Sequence, residues 1–442
     1  MKKNSVLAWS IVVALGGFLF GFDTAVISGA EKSIQQYWSL SVFEHGLTIS
    51  IALIGTILGS LLGSRPSDHF GRKNTLYLVA FAYLVSSIGT ALADNWHVFL
   101  IFRFLGGLGV GTSSVTAPIY ISEVSPADRR GRLVGLFQFN VVLGILISYL
   151  SNYLIAQGGE SSWRWMLGVQ AAPSLLFMIL IRFIPESPRW LVLKKGASEK
   201  ALEILRIINP LNCERELKSI ENSKLTQTPD TDSSLFSKQY KTPVILAVLF
   251  AFFNQASGIN AIIYYAPRIF EMAGLGAHSS LLSTVGIGAI NFAFTLIAIN
   301  FIDKIGRRVL MLIGSIGLIA SLFLVAVTFS SGQFSGFAIP FYMMVFIAFF
   351  AFSQGAVIWV FISEIFPNQV RAKGQTLGSS THWIMAALIA FCFPYLAEKL
   401  GGAVTFYFFG SMMVLQLFFV WRYMPETKGK SLEQIETNVI LH

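Results

Sequence analysis

Asp68-His69-Phe70-Gly71-Arg72-Lys73 closes one apolar run and opens the next. The same pattern returns 235 residues later as Asp303-Lys304-Ile305-Gly306-Arg307-Arg308. A second signature, Tyr120-Ile121-Ser122-Glu123-Val124-Ser125-Pro126 with Arg129, Arg130 and Arg132, returns as Phe361-Ile362-Ser363-Glu364-Ile365-Phe366-Pro367 with Arg371 and Lys373. A third, Pro185-Glu186-Ser187-Pro188-Arg189, returns as Pro425-Glu426-Thr427-Lys428-Gly429. The offsets of the last two are 241 and 240 residues. Self-similarity at one period means a duplicated structural unit.

The composition around these signatures says where the units reside. Of 442 residues, 54% are hydrophobic and 12% charged, and the mean hydropathy is +0.65. A soluble domain carries about 25% charge, so a water-facing surface cannot be covered here, which excludes an ordinary soluble enzyme. A membrane-spanning helix needs roughly 20 mostly apolar residues. Twelve such runs are predicted, over residues 7–29, 46–64, 74–93, 97–122, 133–156, 165–184, 243–267, 279–302, 309–330, 337–363, 374–397 and 402–424. They are long and unbroken, unlike the short alternating segments of a β-barrel.

The expected fold is therefore all-α, twelve transmembrane helices in two six-helix bundles: residues 1–184 form the first and 243–442 the second with a short tail. The polar stretch 185–242 reads as a cytoplasmic linker with short helices. Ala201, Leu202, Leu205 and Ile208 give it helical apolar spacing. Equivalent halves in one orientation fit the parallel repeats of rocking transporters. The net charge of +9 reads as topology. With a cytoplasmic N-terminus, inside segments, counted with Arg182 and Arg422 at the inner ends of spans 6 and 12, hold 27 of the 32 basic residues, a positive-inside pattern. The outside segments hold Lys32, Arg164, Arg268 and Lys399, and Arg103 lies within a span. Both termini are expected in the cytoplasm, the first span serving as an uncleaved insertion signal. Cys213 and Cys392 give neither a disulfide framework nor metal spacing.

In the repeated loops, carboxylates at span ends face Arg-rich turns. Charge-assisted Arg–carboxylate bonds can tie helix ends together, and such ties must break for the inside to open. Asp68, Arg72, Lys73, Glu123, Arg129, Arg130 and Glu186 are the expected cytoplasmic gate of the first half. Asp303, Arg307, Arg308, Glu364, Arg371 and Glu426 are that of the second. Plain positive-inside anchoring is the competing explanation.

These motifs resemble those of the sugar porter family of the major facilitator superfamily, and the resemblance covers nearly the whole chain. Asp-x-x-Gly-Arg-Arg/Lys is a superfamily mark. The stretches 185–189 and 425–429 are more specific, as is Gln255-Ala256-Ser257-Gly258-Ile259-Asn260 with Tyr264-Tyr265. The sequence is most similar to bacterial proton-coupled pentose and hexose symporters. The resemblance implies monosaccharide uptake with a proton as co-substrate, in a multi-pass cell-membrane protein without cofactor, metal or nucleic-acid partner. A monomer in the lipid bilayer is the expected functional unit.

Charges inside a span are costly and point to function. Asp23 and Arg103 each lie six residues from the outer end of their spans, about 9 Å deep at 1.5 Å per residue. Pairing is feasible, and protonating Asp23 would release Arg103, which makes a proton-coupling switch; a purely structural ion pair is the alternative. In the family, proton-linked members resemble this sequence in having Asp here.

Sugar hydroxyls donate and accept, so amides suit them, and sugar C–H faces pack on aromatic rings. Gln138, Asn254, Gln255, Asn260, Asn291, Trp359 and Trp383 supply such groups, and Phe20 can join the wall. Helix–helix hydrogen bonding would equally explain any one amide. The sequence departs from the family at Asn254, where Gln is common, at Ala356, where the span 10 proline is missing, and at His382, where an amide is common. His382 reads as a neutral contact group rather than a second proton site. Tyr264 and Tyr265, followed by Pro267, suit an extracellular gate. Gly55, Gly59 and Gly63, with Gly107 and Gly111, allow close helix approach.

Rival readings are a facilitative uniporter, a polyol or inositol transporter, an exporter of the same superfold, and a sugar-sensing receptor. The last would carry a longer signalling tail than the roughly 18 residues after span 12. An enzyme ranks last, since no nucleophile–base group, phosphate loop or metal cluster is visible.

Overall fold

The computed structural model describes residues 3–428 except 127–128, 160, 226–233, 333–335 and 368–369. Among the described residues it is helical throughout, with no strand. Twelve helical segments are long and apolar enough to cross a membrane. Spans 1 to 6 are Ser5–Tyr37, Val42–Leu62, Arg72–Leu92, Trp96–Glu123, Arg130–Gly158 and Ser162–Ile181. Spans 7 to 12 are Lys238–Met272, Ala277–Ile302, Arg307–Ser331, Ala338–Glu364, Lys373–Lys399 and Gly401–Tyr423. Alternation along the chain defines a near side, where span 1 begins, and a far side, where it ends.

Span 1 runs eight residues beyond its expected end. Glu31 and Lys32 end the apolar signal but not the helix, because both are paired: Glu31 with Arg268 and His45, Lys32 with Glu271. Pairing offsets part of the cost of burying Glu31, Lys32 keeps half its surface exposed, and the helix continues to Tyr37.

Packing density divides the chain into two compact units. The first comprises Met1–Val26, Ile54–Ser148 and Arg164–Asp232; the second comprises Ile27–Leu53, Tyr149–Trp163 and Ser233–His442. The far segments of spans 1, 2 and 5 thus pack within the second unit. Inside the first unit, span 2 meets span 4 through its glycines. A Cβ on Gly55 or Gly59 would overlap the Phe104 or Leu108 carbonyl, so glycine lets the backbones touch. Inside the second unit, Phe250 stacks on Phe361 with centroids 4.7 Å apart, and Phe253 packs on Phe419 at 5.5 Å. They belong to a buried apolar core that also holds Leu310, Val357 and Val420.

The region after span 6 holds helices Ser198–Ile208 and Cys213–Leu225. Ala201, Leu205 and Ile208 are buried, on the apolar stripe their spacing foretells. Asn209 Nδ2 donates to Glu216 Oε1 (2.7 Å) and Ser198 Oγ to Glu221 Oε1 (2.8 Å), tying the two helices to each other.

Candidate functional site

Three groups of polar residues stand out, the first two each within one unit and the third present once in each. The first lies in unit one. Arg103 Nη1 donates to Asp23 Oδ1 at 3.1 Å, and both side chains are about 2% exposed. The close approach depends on Gly106, one turn beyond Arg103. A Cβ there would lie 2.5 Å from Ser86 Oγ and 3.5 Å from Asp23 Oδ1. Ser86 Oγ is itself committed to the Phe102 carbonyl at 2.7 Å. Tyr83, fully buried on span 3, lies within electrostatic range of Asp23. Sequence reading missed it, since a tyrosine within a span looks like any packing aromatic. Phe20 and Gln138, both half-buried, also belong to this unit. Phe20 packs on Phe137 with centroids 6.5 Å apart.

The second group lies in unit two and is made by a break in span 7. Gly258 has φ +83°, a left-handed conformation that glycine adopts at little cost. The break folds residue 260 back onto residue 255. Asn260 Nδ2 donates to Gln255 Oε1 (2.6 Å), and Gln255 Nε2 donates to Asn254 Oδ1 (2.9 Å). A ring nitrogen of His382 stands 3.2 Å from the same Nε2. His382 then contacts Trp359 (centroids 4.8 Å apart) and Trp383 (4.9 Å). Trp359 keeps 39% of its surface exposed, so the amide cluster continues into an accessible aromatic face. Asn291 of span 8 is half-buried and makes none of these hydrogen bonds.

Further along span 7, Tyr264 and Tyr265 are buried. Tyr265 sits at a kink (φ −125°, ψ 16°) two residues before Pro267. Proline has no N–H for the carbonyl four residues back, which is that of Ile263. Tyr149 of span 5 supplies the missing donor, its hydroxyl bonding Ile263 O at 2.8 Å. Tyr149 is a second residue that only the fold reveals. Tyr265 in turn donates to the Ala390 carbonyl at 2.9 Å.

The third group is the repeated near-side loops. In unit one, Arg72 grips Glu123 with two bonds, Nε to Oε2 (2.9 Å) and Nη2 to Oε1 (3.1 Å), and reaches Asp68 Oδ1 at 3.0 Å. Glu186 accepts from the backbone N–H of Arg72 (3.0 Å) and Lys73 (3.1 Å). It thereby caps the free N-terminus of span 3 from a distant loop. Gly71 precedes that terminus with φ +94°, and a Cβ there would overlap the Glu186 carboxylate. Lys73 Nζ bonds the Arg182 carbonyl at 3.0 Å. Arg130 bonds the Ser122 carbonyl at 3.2 Å, and Arg129 is exposed on the same turn.

Unit two repeats this chemistry. Arg307 Nη2 donates to Glu364 Oε1 at 3.0 Å, and Glu426 accepts the N–H groups of Arg307 and Arg308, each at 3.0 Å. Gly306 matches Gly71 with φ +100°. Arg308 reaches the Trp421 carbonyl, and Arg371 bonds the Phe366 carbonyl at 3.2 Å. The side chain of Asp303, and Gly429, lie outside the described residues. The two capping carboxylates differ. Burial pushes the Glu186 carboxyl above its ordinary range, against the pull of the Ser187, Lys73 and Arg72 N–H groups. Burial also acts to raise Glu426, but N–H donors from Lys428, Arg307, Arg308 and Thr427 outweigh it and hold its carboxyl low.

The likeness to known proteins is as full as this geometry suggests. The family model described as sugar (and other) transporter matches residues 9–439. The arabinose-proton symporter of Bacillus subtilis (strain 168) is 38% identical over 438 residues, covering 98% of this chain and 94% of that one. The D-xylose-proton symporter of Escherichia coli (strain K12) is 35% identical over 474 residues, covering 98% and 96%. The inward open structure of the xylose transporter XylE from E. coli superimposes with a TM-score of 0.87 at 34% identity, covering 98% of this chain and 100% of that one. The fold is that of major facilitator transporters, twelve membrane helices in two six-helix bundles. The chain belongs to the sugar transporter family, as a multi-pass membrane protein.

Proposed function

We propose that this protein carries a monosaccharide, a pentose or a hexose, into the cell together with a proton, by alternating access. The observation that carries the proton step is the buried Asp23–Arg103 pair in a chain whose relatives include proton symporters for arabinose and xylose. A carboxylate that gains a proton there frees its arginine, so the protonation state and the arrangement of helices become linked. Gln255, Asn254, Asn260 and His382 with Trp359 and Trp383 are the sugar's partners in the second unit, and Phe20, Gln138 and Asn291 complete the set. The near side faces the cytoplasm, in keeping with its basic residues, and the repeated Arg–Glu ties form the inner gate. Tyr264 and Tyr265 belong to the outer one. Residues 185–242 link two halves, 1–184 and 243–442, that rock against each other as a monomer in the bilayer.

A proton entering down 100 mV contributes about 2.3 kcal/mol, enough for roughly tens-fold accumulation. Reconstituted protein should therefore concentrate a labelled pentose or hexose in proteoliposomes under an inward proton gradient, and only equilibrate it without one. Equal uptake with and without the gradient would make it a uniporter; no saturable uptake of pentose, hexose or inositol would end the sugar reading.

A further inference from the structure

The far side of the second unit holds a charge cluster that the coupling pair and the sugar group do not use. Glu31 of span 1 is 1% exposed and His45 of span 2 is fully buried. His45 Nε2 stands 2.8 Å from Glu31 Oε2. Arg268 of span 7 clamps the same carboxylate, Nη2 to Oε2 at 3.0 Å and Nε to Oε1 at 3.0 Å. Its Nη2 also donates to Gln35 Oε1. Three helices thus meet at one buried carboxylate.

The surroundings are charge-balanced. Lys32 pairs with Glu271 beside the cluster. Glu44, next to His45 in sequence, is half-buried and accepts hydrogen bonds from the Ser41 N–H and hydroxyl. Tyr265, whose ring centroid lies 6.0 Å from that of His45, directs its hydroxyl to the Ala390 carbonyl. Span 11 packs behind with Phe393 against Tyr265 and with Phe391 at Gly46. Elsewhere on this side, span 5 joins spans 7 and 8 through Tyr149 to Ile263 O and Tyr153 to His278. The cluster therefore sits where the far segments of spans 1, 2 and 5 pack with the C-terminal helices in the second unit.

We propose that Glu31, His45 and Arg268 form a proton-binding outer lock, a site for external protons separate from Asp23. Charge counting sets its direction. Glu31 and Arg268 cancel, and a neutral imidazole leaves the triad balanced. One added proton, on either imidazole nitrogen or on the carboxylate, leaves a net positive charge. A buried uncompensated charge is costly. Both ring nitrogens of His45 are moreover buried without a hydrogen bond among the described residues, so an added N–H would go unsatisfied. Water reaching the separated helix ends removes both costs. The proton binds the open arrangement more tightly, and by linkage external acid favours opening toward the side from which sugar and proton arrive. Positioning the ends of spans 1, 2 and 7 is the role of all three residues. The proposal rests on the transport reading above for its far side being the outer one.

The test reads opening directly. Ser28, one turn before Glu31, is 2% exposed. Full-length protein carrying Ser28→Cys, with Cys213→Ser and Cys392→Ser, is placed in proteoliposomes and labelled from outside with an impermeant thiol reagent. Rates are compared at about pH 7.5 and about pH 5.5, each against the same protein carrying His45→Gln, so the thiol's own pH dependence cancels. Acid should speed labelling about 5-fold or more relative to His45→Gln. Glu31→Gln, which strands Arg268, should label fast at both pH values. Equal pH responses with and without His45, or Glu31→Gln labelling at the parent's neutral rate, would overturn the lock. Sugar–proton uptake with pH-blind labelling removes the lock alone. PH-dependent labelling in a protein that moves no sugar removes the transport reading alone.

Discussion

Asp23 and Arg103 were legible in the sequence as opposite charges within apolar spans, which must find a partner or carry the cost of burial. Their equal depth was not, since span 1 runs on to Tyr37; the two nonetheless stand 3.1 Å apart. Asp23→Asn keeps the volume and removes the titration. It should abolish proton-driven accumulation while leaving sugar exchange, measured in pH-clamped vesicles; full accumulation by the variant would sink the coupling role. Tyr83 was not legible, since nothing but the fold brings a span 3 phenol to Asp23. The two capping glutamates make a second residue-scale case. The low folded-state carboxyl of Glu426 contributes stability above the ordinary range, near about 4.3, and loses it as pH falls through the folded value. The raised carboxyl of Glu186 works the other way: its contribution is present below the ordinary range and is lost as pH rises. At neutral pH, Glu426→Gln should therefore cost on the order of 0.5–1 kcal/mol, and Glu186→Gln less. Thermal melts in detergent across about pH 4 to about pH 7 should show the gap closing in acid.

At the scale of elements, periodicity and length found all twelve spans, because a bilayer demands long apolar runs whatever they pack against. It did not find where helices bend or how far they continue. Span 1 runs on past Glu31 because partners from spans 2 and 7 satisfy the charge. Span 7 read as one run, yet Gly258 breaks it and Tyr265 kinks it. That break is what brings Asn260 to Gln255. Gly258→Ala would force a side chain into φ +83° with its Cβ against the Phe409 ring. The expected cost is about 1–3 kcal/mol. Sugar affinity should fall with it, as measured by equilibrium binding on the purified protein. Unchanged affinity would mean that the Asn260–Gln255 contact is not part of the sugar site.

For the whole molecule, the duplicated signatures forecast two structurally equivalent near-side ties, and the geometry matches position by position: Arg72 with Glu123, Arg307 with Glu364, Glu186 and Glu426 on helix N-termini. If both ties form one inner gate, Arg72→Gln and Arg307→Gln should each slow net uptake several-fold, and the double variant should lose less than the product of the two. Initial rates in proteoliposomes check this; strictly multiplicative losses would make the ties independent anchors.

By itself the sequence determined the membrane, the twelve spans, the internal duplication, the family resemblance and the two opposite charges within spans 1 and 4. Each of these follows from local properties: apolar length, charge position and repeated motif. The tertiary structure alone decided that Glu31, His45 and Arg268 share one buried carboxylate, that Tyr149 fills the carbonyl left by Pro267, and that Gln255 binds Asn254, Asn260 and His382 together. Those contacts join residues up to 237 positions apart. No periodicity records them, because a hydrogen bond or ion pair across helices depends on packing that the spacing along one helix does not encode.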